Sequence, residues 1–165
     1  MIDDGLVERG ARAGALLRER GERVAVAEGS CGGLVSAALL SAAGASTYYA
    51  GGAVIYTRAA AKGFLSGAIP APEGMRGATE VFASYLAEAV AVRLEATWGI
   101  GEGGAAGPTG NPYGDPAGHA WIAVAGPGPQ PVSTVHLLTG ESDRVGNMTA
   151  FAAAALDELV RRLSA

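Results

Sequence analysis

Cysteine is almost missing from this sequence: Cys31 is the only one among 165 residues. A lone thiol cannot close a disulfide within the chain, and it rules out the paired-cysteine spacings that hold structural zinc. Histidine is nearly as scarce. His119 and His136 stand too far apart in sequence to suggest a metal cluster, so neither a metal nor a cofactor is expected. Basic runs are missing as well. Twelve lysines and arginines against sixteen acids leave a net charge of −4, and with no Lys/Arg-rich stretch nothing reads as a nucleic-acid surface. A single phosphate can still be held in a local pocket. No apolar run reaches the roughly 18–20 residues that a membrane span needs. The opening Met-Ile-Asp-Asp-Gly lacks the basic-then-apolar pattern of a signal peptide. The expectation is a cytoplasmic protein with no membrane and no nucleic-acid partner.

What is present is apolar and patterned. With 49% hydrophobic and 17% charged residues, the chain suits one ordered domain with a proper core. Residues 6–20 place Leu6, Ala13, Leu16 and Leu17 on one side and Arg9, Arg12, Arg18 and Glu19 on the other, which predicts an amphipathic helix closed by Gly21. A buried strand follows at 23–27, then a small-residue helix at 34–43. An aromatic loop at 45–52 leads into a strand at 53–56. Thr57 is placed to cap a helix at 58–65. Residues 66–77, with Pro70 and Pro72, read as a connection, and Thr79 caps a long helix at 80–97. A strand at 98–101 then runs into a glycine- and proline-rich loop at 102–116. Two strands at 119–125 and 131–138, joined by a Gly/Pro turn, suggest an antiparallel pair. A helix at 143–163 closes the chain. Strands alternating with helices predict an α/β fold, three-layer α/β/α, with a mostly parallel sheet.

Two glycine-rich turns leave strand ends in this pattern, after Ala27 and after Gly101, and ligands of open α/β sheets sit at such places. The first reads Val24-Ala25-Val26-Ala27-Glu28-Gly29-Ser30-Cys31-Gly32-Gly33. A strand that breaks through glycines into a helix gathers backbone N–H groups at one point, which suits a phosphate or a developing oxyanion. A tight β–α turn explains the same glycines without chemistry. Ser30 reads as a nucleophile or as a helix cap. Cys31 reads as a thiolate activated by the helix terminus or as a small buried thiol. Glu28 is expected to accept hydrogen bonds from loop N–H groups. His119 with Asp115 or Asp143 offers a Ser/Cys–His–Asp arrangement, against a plain strand-end histidine.

Four segments, in order, resemble one family: the C-terminal domain of the competence/damage-inducible protein CinA, which also exists as a stand-alone nicotinamide-nucleotide amidohydrolase. Ala27-Glu28-Gly29-Ser30-Cys31-Gly32-Gly33 is similar to the family's Ala-Glu-Ser-Cys-Thr-Gly-Gly. Gly51-Gly52-Ala53-Val54-Ile55-Tyr56-Thr57-Arg58-Ala59-Ala60-Ala61-Lys62 is similar to its Gly-Gly, apolar strand and Tyr-Ser-Asn-x-Ala-Lys. Gly77-Ala78-Thr79-Glu80 echoes a Gly-Ala-x-Ser-Glu helix start. Gly103-Gly104-Ala105-Ala106-Gly107-Pro108-Thr109-Gly110 resembles its Thr-Gly-Ile-Ala-Gly-Pro-x-Gly loop.

The resemblance implies a mixed five-stranded sheet between helices and a homodimer. It also implies a small-molecule nucleotide ligand, nicotinamide mononucleotide, deamidated to the nicotinate nucleotide and ammonia. By the same resemblance Ser30, or else Cys31, is the nucleophile and Lys62 the base. Glu28, Gly29, Gly32, Gly33, Tyr56, Arg58, Gly104, Ala105, Gly107 and Arg144 surround the ligand, with Arg58 and Arg144 on its phosphate.

The departures from the family pattern fall at the chemistry. Gly29 stands where the family has its serine, Ala61 where it has its lysine, and Gly103 where it has a hydroxyl residue. Met148 lies near the place of a second arginine. The alternative is therefore a catalytically inactive nucleotide-binding domain of the same fold.

Overall fold

A computed structural model describes residues 2–165. The elements run α1 (Asp4–Arg20), β1 (Val24–Glu28), α2 (Leu34–Leu40), a 3₁₀ turn (Ala45–Thr47), β2 (Tyr49–Val54), α3 (Arg58–Leu65), α4 (Glu80–Arg93), β3 (Trp98–Ala105), β4 (His119–Ala125), β5 (Val132–Leu138) and α5 (Arg144–Leu163). The five strands form one sheet in the order β2-β1-β3-β4-β5. β1 is parallel to both β2 and β3, while β4 is antiparallel to β3 and to β5. Four strands therefore point one way and β4 the other, the mixed α/β arrangement that the sequence predicts. No helix is long and apolar enough to cross a membrane among the described residues.

The local signals act as their chemistry requires. Asp3 accepts the Leu6 N–H at 2.8 Å to start α1, and Gly21, at φ 64°, closes it. Thr57, Thr79 and Asp143 cap α3, α4 and α5, each accepting an N–H three residues on. On one face of the sheet, α1, α2 and α5 bury Leu17, Leu39, Phe151, Leu156 and Leu159 against Val26, Ile100 and Ile122. On the other face, α4 and α3 bury Leu65, Leu86 and Val90 against Ala25, Ala27 and Ile55. β1 is buried on both faces, residue after residue, as a central parallel strand should be.

Four boundaries differ from the sequence reading by three residues or more, and glycine explains two of them. β2 begins at Tyr49 and takes in Gly51 and Gly52, which had read as loop. β3 continues four residues past Gly101, through Glu102, Gly103, Gly104 and Ala105. A Cβ on Gly103 would lie 2.9 Å from Phe82, and one on Gly104 would lie 2.5 Å from the His119 carbonyl oxygen. These glycines mark close approach inside a sheet rather than a turn. α2 ends at Leu40, before the 3₁₀ turn, and α4 ends at Arg93, because Glu95 adopts a left-handed φ of 50°.

Glycine also sets how closely α4 rides on β3. A Cβ on Gly101 would stand 2.0 Å from the Ala83 carbonyl oxygen, and one on Gly99 would stand 1.9 Å from that of Ala87. The obstruction is helix backbone, which cannot swing aside. Gly101→Ala should therefore lower the unfolding free energy by about 2 kcal/mol or more, at the upper end of overpacking costs. Urea titration of the variant against the parent measures this, and an unchanged midpoint would contradict the contact.

Candidate functional site

β1, β2 and β3 end side by side, and the turn at 29–33 folds over their ends. The Gly29 N–H bonds the Glu102 carbonyl oxygen at 3.0 Å, and the Ile55 N–H bonds the Glu28 carbonyl oxygen at 2.8 Å. The two glycine segments of the sequence thus meet. Between this junction and the start of α4 lies a cleft of about 470 Å³. Gly29, Ser30, Gly103 and Gly104 line it at the strand ends. Tyr56 and Thr57 line it from the link after β2, and Arg58 and Ala61 from α3; Met75 and Ala78 line it from the approach to α4, Phe82 from α4 itself, and Asn111 and Tyr113 from the loop between β3 and β4.

Two glutamates hold the turn. Glu28 and Glu102 are register partners on β1 and β3, and both are fully buried. The Glu28 carboxylate accepts the N–H groups of Val35 and Ser36, each at 3.0 Å, and the Ser36 hydroxyl at 2.7 Å. It therefore caps α2, whose N-cap residue Gly33 has no side chain to do so. The Glu102 carboxylate accepts the N–H groups of Gly29 and Cys31, at 3.0 and 2.9 Å, together with the Ser30 hydroxyl. The anion site anticipated at this turn is thus filled from within. Two of the amides expected around an oxyanion already serve Glu102.

The expected catalytic residues are not brought together as a Ser–Lys pair. Ser30 lines the cleft, but its hydroxyl is bound to Glu102. Lys62 is exposed on α3 and does not line the cleft. Ala61 takes that place, since one residue along a helix turns a side chain by about 100°. Cys31 is fully buried in the core. Burial, and then the nearby charges of Glu102 and Glu28, push its thiol well above the ordinary value, so it stays protonated and inert.

Neither does a Ser–His–Asp set form. His119 Nε2 lies 2.9 Å from the Ala78 carbonyl oxygen and 3.9 Å from Asp115. A carbonyl can only accept, so His119 carries its proton on Nε2, and its Nδ1 meets His136 Nε2 at 3.0 Å. The ring supports Ala78, a non-glycine residue at φ 56° in the cleft wall.

Of the expected ligand contacts, Gly29, Tyr56, Arg58 and Gly104 line the cleft. Arg144 reaches the rim, donating to the Gly107 carbonyl at 2.6 Å and to the Tyr56 hydroxyl at 3.3 Å. Glu28, Gly32, Gly33 and Ala105 shape the turn and the strand end without facing the cleft. The sequence reading passed over Glu102, Phe82, Asn111 and Tyr113. An acid within a glycine run directly after a buried strand was the available signal for Glu102. Asn111 and Tyr113 are held over the cleft by local contacts. Asn111 Nδ2 and Arg76 both donate to Asp115, at 2.8 and 2.9 Å, and Arg76 lies over the Tyr113 ring. Arg76, then Asn111, hold the Asp115 carboxyl below its usual range.

Comparison with known proteins agrees with this architecture. The pattern of the CinA C-terminal domain matches residues 8–163. The chain belongs to the CinA C-terminal domain family. It is 36% identical over 151 residues to a CinA-like protein of Trichormus variabilis, covering 91% of this chain and 36% of the relative. It is 40% identical over 154 residues to one of Synechocystis, with 91% and 36% covered. The chain thus spans a little over a third of the length of these relatives. Among solved structures, the competence/damage inducible protein CihA of Agrobacterium tumefaciens superposes with a TM-score of 0.87 at 26% identity, over 100% of this chain and 99% of that one. A CinA superfamily protein of Klebsiella pneumoniae shares the fold at 24% identity, with a TM-score of 0.86 over 96% and 98% of the two chains. In this CinA domain the three strand ends surround a buried Ser30–Glu102 contact.

Glu102 makes that contact measurable. Its carboxyl is held above the ordinary range, chiefly by burial and in part by the Glu28 charge, against the lowering effect of the Ser30 and Cys31 hydrogen bonds. A carboxyl whose pKa rises on folding contributes stability that is present below its unfolded value and lost as pH climbs through the folded value. Glu102→Gln has no such loss. The melting temperature of the variant relative to the parent should therefore climb as the pH rises from about 4, where a free glutamate begins to ionise. A difference independent of pH would mean that Glu102 titrates as an ordinary carboxyl.

Proposed function

We propose that the cleft binds a pyridine nucleotide, nicotinamide mononucleotide or a close relative, and that it does so without the Ser–Lys hydrolysis of the family. The cleft volume lies in the range of small-molecule sites. Arg58 and Arg144 supply cations for a phosphate, and Tyr56 and Tyr113 offer aromatic faces for a pyridine ring. The observation that carries the non-hydrolytic half is Ala61 in the cleft wall with Lys62 outside it. A serine needs a base within hydrogen-bond reach to attack an amide, and the lysine is not there to act as one.

One contact favours a second reading. The Ser30 hydroxyl rests on the Glu102 carboxylate, and that is a nucleophile on a potential base. In this reading Glu102 takes the Ser30 proton as Oγ bonds to the carboxamide carbon. The tetrahedral species then expels ammonia, which carries that proton away, and water cleaves the acyl-serine to the acid. Against it stand the Gly29 and Cys31 amides, already committed to Glu102 and so withdrawn from the developing oxyanion.

Calorimetric titration with nicotinamide mononucleotide, run beside an ammonia assay at high protein concentration, separates the two. Saturable binding with no ammonia above blank is the expected result. Ammonia release abolished by Ser30→Ala would establish the second reading, and no binding of any nucleotide would remove both.

A further inference from the structure

The Ser30–Glu102 contact also fixes which way the serine's hydrogen bonding faces. A hydroxyl has one proton to give and lone pairs to accept with. Ser30 gives its proton to Oε1 of Glu102. Above the pH at which Glu102 titrates, the carboxylate has none to give back, and its Oε2 already accepts the N–H groups of Gly29 and Cys31. Ser30 nevertheless lines the cleft beside Gly29, Gly103 and Gly104. Toward a ligand, its oxygen can therefore only accept.

We infer that Ser30, with its proton committed to Glu102, makes the cleft selective for a ligand that presents an N–H donor at this point, such as a carboxamide, over the matching carboxylate. The inference rests on the nucleotide-binding reading and adds the chemical group that is recognised. A carboxamide NH₂ can donate to Oγ. A carboxylate in the same place would set acceptor against acceptor and bring a further negative charge toward two buried glutamates, Glu28 and Glu102. Sites built around a committed hydrogen-bonding group reject the unmatched ligand far more strongly than sites built on shape alone. One mismatched contact should amount to about tenfold.

Glu102 is here a positioning residue, and exchanging its chemistry should reverse the serine. In Glu102→Gln the amide oxygen accepts from Gly29 and Cys31, while Nε2 donates to Ser30 Oγ. The serine proton is then released toward the cleft, where it can meet a carboxylate. Ser30→Ala removes the reading group and leaves Glu102 its two backbone donors.

The experiment is calorimetric titration of the parent and both variants with nicotinamide mononucleotide and with nicotinate mononucleotide. It is run at about pH 8, with ammonia followed so that turnover is not taken for binding. The parent should bind the amide about tenfold tighter than the acid. Glu102→Gln should lose or reverse that ratio by gaining affinity for the acid, and Ser30→Ala should bring it near one by losing affinity for the amide. Equal affinities in the parent would overturn the inference while leaving the nucleotide-binding reading intact. So would a preference that survives Ser30→Ala, which decides the matter even if Glu102→Gln does not fold. Binding of neither nucleotide by the parent would remove the underlying reading, and this inference with it.

Discussion

Two carboxylates buried side by side set the terms for the cleft end of this domain. Glu28 and Glu102 are register partners on adjacent parallel strands, so their side chains leave the sheet on the same face. Isolated charges there would cost many kcal/mol. Each instead receives three hydrogen bonds, one set from the first turn of α2 and the other from the turn that precedes it. The turn between strand and helix is thus gripped from both sides. Its path follows from where two acids need their donors, and the glycines let the backbone comply.

The cleft exists because α4 lies so low on the sheet. Its Ala83 and Ala87 backbone rests on Gly101 and Gly99, which brings Phe82 and the segment before the helix over the strand ends. That segment is propped by His119 beneath Ala78 and tied through Arg76 to Asp115. The wall facing Ser30 is therefore rigidly referenced to the sheet, as a recognition site requires.

Much of this was readable in the residues. Apolar periodicity located the helices, and the caps at Thr57 and Thr79 gave the starts of α3 and α4, because each cap acts within one turn of chain. The turn at Glu28–Gly33 was read as a candidate ligand turn, and its meeting with the segment after Gly101 follows from two parallel strands ending together. Long-range facts were harder to read. Gly103 and Gly104 suggested a loop, because the neighbours that demand their missing side chains, Phe82 and His119, are distant in sequence. For the same reason Glu102 read as a loop acid rather than the partner of Ser30. Lys62 and Ala61 differ by a single helical step, and only the placement of α3 decides which of them meets the cleft.

The imidazole pair gives the sheet a reach beyond its own edge. His136 sits on β5, the outermost strand, stacked on Trp121, and its ring touches His119, which in turn holds Ala78 in a left-handed backbone conformation. His136 and His119 thus link the edge strand β5, by way of β4, to Ala78 in the wall of the cleft. Sequence drift on β5 is consequently not free. His136, exposed on an edge strand, is tied by this chain of contacts to the backbone of the cleft wall.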